Sequence, residues 1–177
     1  MIRFATADDL PTIVALIRGL AEYERLADAV VLEEATLRDY LFGPRPYAEV
    51  LLAEEAGEVV GFALYFHTFS TFMGRPGLYL EDIFVRPEHR GRGHGKALLA
   101  ALARLAVDRG CGRLEWSVLD WNEPSIGFYR ALGAVPMAEW TVYRLTGDSL
   151  AALGALGAAL IGTPSPLAGR EEREESA

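Results

Sequence analysis

The chain has 177 residues, 51% hydrophobic and 24% charged, a globular composition with enough apolar material for one substantial core. Its 17 Lys and Arg stand against 25 Asp and Glu, and the net charge of -8 argues against non-specific nucleic-acid binding while suiting a small cationic partner. The single cysteine, Cys111, excludes an intrachain disulfide and any multi-cysteine metal site; with no apolar run long enough for a bilayer and no signal-peptide pattern, no membrane attachment and a cytoplasmic location are expected.

Residues 2–5 read as a short strand, after which Thr6 suits an N-cap with Asp9 in the reciprocal capping-box position. Leu10, Ile13, Val14, Ile17 and Leu20 recur at helical spacing and make the buried stripe of a helix that reaches Tyr23 and Glu24. A second helix over 33–41 turns Leu37, Tyr40 and Leu41 inward before Gly43, Pro44 and Pro46 break it. Residues 49–54 and 59–68 are strands joined by the hairpin turn Glu55-Ala56-Gly57-Glu58. Residues 69–77 read as a loop, and residues 78–85 as an aromatic and β-branched strand that Arg86-Pro87 ends.

Gly91, Gly93 and Gly95 then alternate with Arg90, Arg92, His94 and Lys96, and from Ala97 the apolar period becomes helical through Leu98, Ala101, Leu102 and Leu105. Gly110 ends that helix and residues 113–118 follow as a strand. Asn122 is an N-cap, and Pro124 fits the first turn of a helix carrying Ile126, Phe128 and Tyr129 as far as Gly133. A last strand is expected over 139–145, an additional helix capped by Asp148 within 147–162, and a mobile polar tail over 163–177. The alternation predicts an α/β fold, an αβα sandwich around a central mixed sheet.

The glycine-studded segment, followed by helix N–H groups without intrahelical partners, suits an anionic phosphate. It fails as a Walker A loop, because Gly91 to Lys96 is one residue short and Ala97 replaces the metal-binding hydroxyl. It fails as a dinucleotide fingerprint, because its spacing is G-x-G-x-G and Arg-Pro-Glu-His separates it from the strand. Arg90-Gly91-Arg92-Gly93-His94-Gly95 matches the acyl-CoA pattern R/Q-x-x-G-x-G/A in full.

With LYLEDIFV before that loop and DWNEPSIGFYRALGA after it, the chain resembles the GCN5-related N-acetyltransferases (GNAT), and within them the spermidine/spermine and thialysine acetyltransferase group. IRFATADD, LAEYERL and VVGFALYF extend the likeness over residues 1–146, the expected domain. The resemblance implies a mostly antiparallel mixed sheet, acetyl-CoA as donor, a small-molecule amine as acceptor and a homodimer. It implies that the backbone of Ile83, Phe84 and Val85 meets the pantetheine arm. It also implies that Arg90, Gly91, Arg92, Gly93, His94, Gly95 and Lys96 hold the pyrophosphate, and that Asn122, Glu123, Pro124 and Ser125 touch the cofactor. Tyr129 matches the tyrosine facing the thioester sulfur, Tyr23 and Glu24 match substrate-side residues, and Glu81 with Asp82 match the acidic pair at the amine site.

The chemistry asks for the same residue types. An alkylamine near neutral pH is an ammonium and must lose a proton before attack, so a partly desolvated carboxylate such as Glu81 serves as anchor and base. A backbone N–H near Phe84 and Val85 can stabilise the oxyanion, and the phenol of Tyr129 can protonate the leaving thiolate. Glu81 and Asp82 point to opposite faces of a regular strand, so joint action requires a bulge. His67 reads as a strand residue, His89 and His94 border or enter the phosphate loop, and the spacing shows neither a metal-ligand set nor a Ser-His-Asp arrangement. Two alternatives stand beside small-amine acetylation: a protein N-terminus or lysine as acceptor, and a non-catalytic acyl-CoA sensor, which would need neither Glu81 nor Tyr129.

Overall fold

The computed structural model describes residues 1–157 and Leu160. Five strands, β1 (Ile2–Phe4), β2 (Glu49–Glu55), β3 (Glu58–Ser70), β4 (Arg75–Val85) and β5 (Leu114–Trp116), form one sheet in chain order. The β1–β2, β2–β3 and β3–β4 pairs are antiparallel, and β4–β5 is parallel. The helices are α1 (Leu10–Tyr23), α2 (Glu34–Phe42), α3 (His94–Asp108), α4 (Glu123–Ala131) and α5 (Gly147–Gly157). The chain divides into two compact units, residues 1–126 and a second that begins at Gly127.

The core of the first unit follows from period 2 in the strands meeting period 3.6 in the helices. Ile13, Leu16 and Leu20 of α1, with Leu41 of α2, pack on Val50, Leu52, Phe62 and Phe84. The alternate β2 residues Leu51 and Ala53 are buried as well, and α3, with Leu98, Leu99 and Leu102 buried, lies against β2, β3 and β4. The central strands are therefore covered on both faces, and the expected αβα sandwich is the observed one.

Two ionic ties fasten the helices to the sheet. Arg3 on β1 donates to both oxygens of Asp9 (2.8 Å each) and to Glu54 on β2 (2.6 Å). Asp9 also accepts from the Thr6 N–H (2.7 Å) and hydroxyl (3.0 Å), which realises the expected capping box at the 3₁₀ turn preceding α1. The Arg3 guanidinium holds the Asp9 carboxyl far below the usual range. Beyond the C-terminus of α3, Arg109 grips both oxygens of Glu49 at the start of β2, where Tyr65 also donates (3.2 Å).

The structure corrects four expectations, the first being that Tyr40 turns inward: on α2 only Leu41 is buried, and Tyr40 is exposed, edge-on to Tyr47. Residues 69–77 are mostly strand: β3 runs to Ser70 and β4 starts at Arg75, leaving a tight turn, because Phe69 pairs with Pro76 and Ser70 with Arg75. The helix expected from Ala97 starts at His94, since Gly93 takes a left-handed conformation (φ 89°) as N-cap and its carbonyl accepts from the Ala97 N–H (2.9 Å). Residues 139–145 form no strand. Their alternating pattern finds no partner backbone among the described residues, and Trp140, Val142 and Tyr143 are exposed. The additional helix is α5, whereas the expected tail over 163–177 lies outside the described residues.

β3 and β4 approach each other closely at Gly61, where a Cβ would lie 2.7 Å from the Phe84 carbonyl oxygen and 3.1 Å from Val85 Cγ2. Gly61→Ala should destabilise the fold by about 1–3 kcal/mol, as overpacking against backbone does. Urea unfolding with an unchanged midpoint would show that the strands part without strain.

Candidate active site

β4 is the element around which the candidate site forms. It pairs with β5 only from Leu78 to Leu80, so no strand among the described residues covers residues 81–85 on that edge. On the other edge, Leu64 faces Asp82 while Tyr65 faces Leu80, which leaves Glu81 as one extra residue on β4. This is the β-bulge that joint action of Glu81 and Asp82 requires. Glu81 is exposed and Asp82 half-buried.

The carboxyl of Asp82 is pushed up to about 6 by burial first, then by the negative charges of Glu81 and Glu24. Burial also raises Glu24, the C-cap residue of α1. Three acidic side chains from two elements thus share one neighbourhood, an arrangement that stabilises a bound cation and makes Asp82 a proton acceptor with an affinity near neutrality. The sequence pattern gave Glu81 the base role; the more desolvated neighbour is Asp82.

Glu24 is placed there by a C-terminal turn of α1 in which Leu26 N–H donates to Ala21 O (2.8 Å) and Arg25 N–H to Glu22 O (3.1 Å). Such a turn needs a left-handed residue, usually Gly, and Arg25 fills it at φ 61°. Its guanidinium lies 5.7 Å over Trp121. Tyr23, one residue before Glu24, donates to Asn122 Oδ1 (3.2 Å). Asn122 is buried and accepts from the Ser125 N–H (3.4 Å), so it caps α4 as expected and joins that segment to α1.

The glycine loop sits beside these residues. Arg90 donates to the Val85 carbonyl (3.0 Å), and its guanidinium lies 4.4 Å from the Tyr23 ring centroid and 5.4 Å from that of Phe84. Arg92 binds Glu55 Oε2 (2.8 Å). Of the three loop cations, only Lys96 makes no ion pair or hydrogen bond to other described residues. It lies in the first turn of α3 with His94 and Gly95, whose N–H groups have no intrahelical partner. The anion-binding capacity of the loop therefore rests on helix N–H groups and Lys96 more than on the arginines.

The first unit brings Tyr23, Glu24, Glu81, Asp82, Ile83, Phe84, Val85, the 90–96 loop and Asn122 into one region. Glu123 and Pro124 are exposed in the first turn of α4. Tyr129 lies further along α4, in the second unit, half-buried beside Phe128 with 5.5 Å between ring centroids. Sequence reasoning missed Trp121 and Arg25, whose contact gave no local signal. It also missed that Glu55 joins His89 and His94, although two histidines five residues apart, one on each side of Gly91 and Gly93, were a signal.

A family model described as acetyltransferase (GNAT) family matches residues 13–134. The chain is 43% identical over 161 residues to a thialysine N-epsilon-acetyltransferase of Bos taurus, covering 85% of this chain and 94% of that protein. It is 35% identical to an L-ornithine N5-acetyltransferase of Arabidopsis thaliana, covering 88% of each. Among solved structures, an integron cassette protein of V. cholerae superposes with a TM-score of 0.73 at 29% identity, covering 87% of this chain and 96% of that one.

The raised affinity of Asp82 for a proton has a signed effect on stability. Its folded value of about 6 exceeds the model-compound value of 3.8, so between those limits the folded state holds a proton that the unfolded chain releases, and stability falls as pH rises through that window. Asp82→Asn should therefore gain stability relative to the parent from about pH 4 to pH 6, by on the order of 1–2 kcal/mol, and hold that gain above. Denaturant unfolding across this range gives the test; a difference independent of pH would contradict the placement.

Proposed function

The chain belongs to the acetyltransferase (GNAT) family and is an acetyl-transferring enzyme, and from that premise we propose that it acetylates a primary amine on a small cationic acceptor. The observation that carries this reading is the cluster of Glu24, Glu81 and Asp82 at the bulge of β4, beside the strand edge that β5 leaves uncovered. Thialysine and ornithine, named by the relatives, both carry a primary alkylamine that is cationic near neutral pH. Polyamines and diamines share that chemistry.

Enzymes of the family use acetyl-CoA, which supplies an acetyl group activated as a thioester. The residues present fit it. The left-handed Gly93 turns the chain so that the N–H groups of His94, Gly95 and Lys96 open toward an anion, as a pyrophosphate requires. The uncovered backbone of Ile83, Phe84 and Val85 can pair with the amide groups of a pantetheine arm. Asn122 fixes the start of α4 next to Tyr23, and Glu123, Pro124 and Ser125 extend that wall.

On this reading Glu81 and Glu24 hold the ammonium and Asp82 accepts its proton, directly or through a water. A neutral amine is then left facing the acetyl carbon. Bringing the ammonium close also lowers Asp82's affinity for a proton, so the carboxylate is ionised when the acceptor binds and recovers its basicity as the positive charge is lost. The phenol of Tyr129 donates a proton to the departing thiolate; the motif around it supports this role. For the assembled enzyme we propose a homodimer, supported by the subgroup likeness and by the exposure of Leu150, Leu153 and Leu156 on α5. We propose a cytoplasmic location; no helix among the described residues is long and apolar enough to cross a membrane.

A panel of thialysine, ornithine, diamines, spermidine and N-terminal peptides, read by thiol release, tests the acceptor class. Turnover is expected with the small amines, with kcat/KM rising with pH through about 6 as Asp82 ionises in the free enzyme. Glu24→Gln should raise KM and move that rise to lower pH, because one of the negative charges acting on Asp82 is gone. Turnover restricted to peptides would overturn the acceptor class, and an unmoved profile would separate Glu24 from the site. Tyr129→Phe should lower kcat by about 10²–10⁴-fold, as loss of a general acid does; a change within about twofold would return Tyr129 to a packing role.

A further inference from the structure

Away from the carboxylates, the fold gathers a second set of ionisable side chains that acetyl transfer does not use. Glu55 ends β2, His89 ends the 3₁₀ turn Pro87–His89, and His94 opens α3. His89 Nδ1 lies 2.8 Å from Glu55 Oε2, and His94 Nε2 lies 3.5 Å from Glu55 Oε1. One ligand atom from each of the three residues falls within 4.8 Å of the others. Glu55 stands 34 residues before His89 in sequence, and the folded sheet brings it to the two histidines.

Two further observations point to a ligand there. The side chains of His89 and His94 are only 16% and 14% exposed, so the imidazoles are largely enclosed. His94 Nε2 is sealed from solvent and makes no hydrogen bond, a condition that native structures rarely leave unfilled. The Glu55 carboxylate lies 2.8 Å from both His89 Nδ1 and the Arg92 guanidinium, so it already faces cationic and hydrogen-bonding partners. Around a tetrahedral ion at about 2.0–2.1 Å from each ligand, donor atoms stand roughly 3.3 Å apart; here one ligand atom from each residue lies within 4.8 Å of the others, close enough for small side-chain adjustments to close on an ion.

We propose that Glu55, His89 and His94 form a binding site for a borderline divalent transition-metal ion, zinc foremost, with a fourth position open to water. Two imidazoles and one carboxylate favour such an ion over magnesium or calcium, which take oxygen ligands. The cation now on Glu55 is Arg92, at 2.8 Å and with a side chain 55% exposed. It can swing into solvent, so metal binding exchanges one positive charge for another on the same carboxylate. The ion would pin the first residue of α3, and with it the phosphate-facing loop, to the β2–β3 hairpin.

The test is calorimetric titration of Zn²⁺ into the full-length chelator-treated chain, with Co²⁺ absorption as an independent report on ligand type. The expected result is one equivalent bound at micromolar or lower concentration, with visible Co²⁺ bands typical of nitrogen and oxygen ligands and no thiolate charge-transfer band. Glu55→Gln, His89→Gln and His94→Gln should each weaken binding by at least about tenfold, and the double His89→Gln/His94→Gln variant should abolish it. Arg92→Gln should tighten binding, since it removes the competing cation, and Cys111→Ser should leave it unchanged. Absence of stoichiometric binding would overturn the proposal. So would equal binding in the double variant with parental circular dichroism and melting, or loss of binding in Cys111→Ser.

Discussion

A β-strand exchanges backbone hydrogen bonds along two edges, and β4 loses regular pairing on both within a few residues. Its parallel partner β5 stops opposite Leu80, and its antiparallel partner β3 slips register at Glu81. The first break leaves main-chain donors and acceptors available to a ligand. The second rotates successive side chains so that Glu81 and Asp82 no longer alternate strictly between faces. Without the hydrophobic clamp that holds β4 from both sides, with Phe84 buried under α1, neither irregularity would be held in place. The site is thus a defect in pairing that the packed core enforces.

Around that defect the polar side chains tie neighbouring elements to one another. Arg90 closes on the Val85 carbonyl and lies over Tyr23; Tyr23 holds Asn122, and Asn122 caps α4. This chain of contacts joins the end of β4, the end of α1 and the start of α4. A lysine could carry the charge of Arg90 but not its planar stacking and directed N–H groups together, so the two residues are not equivalent there. The acidic group works in the opposite sense. Glu24, Glu81 and Asp82 repel one another, and the fold tolerates that repulsion because proton uptake near neutrality relieves it.

Much of this was legible in the letters. The capping box at Thr6 and Asp9, the stripe from Leu10 to Leu20 and the turn at Gly57 are local patterns, and local patterns determine local structure. The glycine loop was legible for the same reason, because a left-handed N-cap at Gly93 is a demand on one residue. The need for a bulge could be derived from two adjacent acids on a strand, although its position could not. Charge pairing was not legible. Arg90 and Arg92 read as phosphate ligands; in the folded chain one also meets a carbonyl and two rings and the other Glu55, 37 residues away in sequence, which no local pattern announces. The strand expected over 139–145 failed because alternation describes a half-buried surface and cannot supply the neighbouring backbone. Desolvation raises the carboxyl of Asp82, and burial is a property of the assembled sheet.

The ends of the sheet carry a last consequence. Both outer strands, β1 and β5, are only three residues long. Short edges of this kind offer little template to a foreign strand and so protect against edge-to-edge aggregation. The exception is the stretch of β4 that β5 leaves uncovered, where a longer run of main chain stands open beside apolar residues. A donor molecule lying along that run would cover it as an added strand would. Were the donor to lie there as proposed, one piece of backbone would serve both its binding and resistance to aggregation, and starvation for the donor would expose that edge.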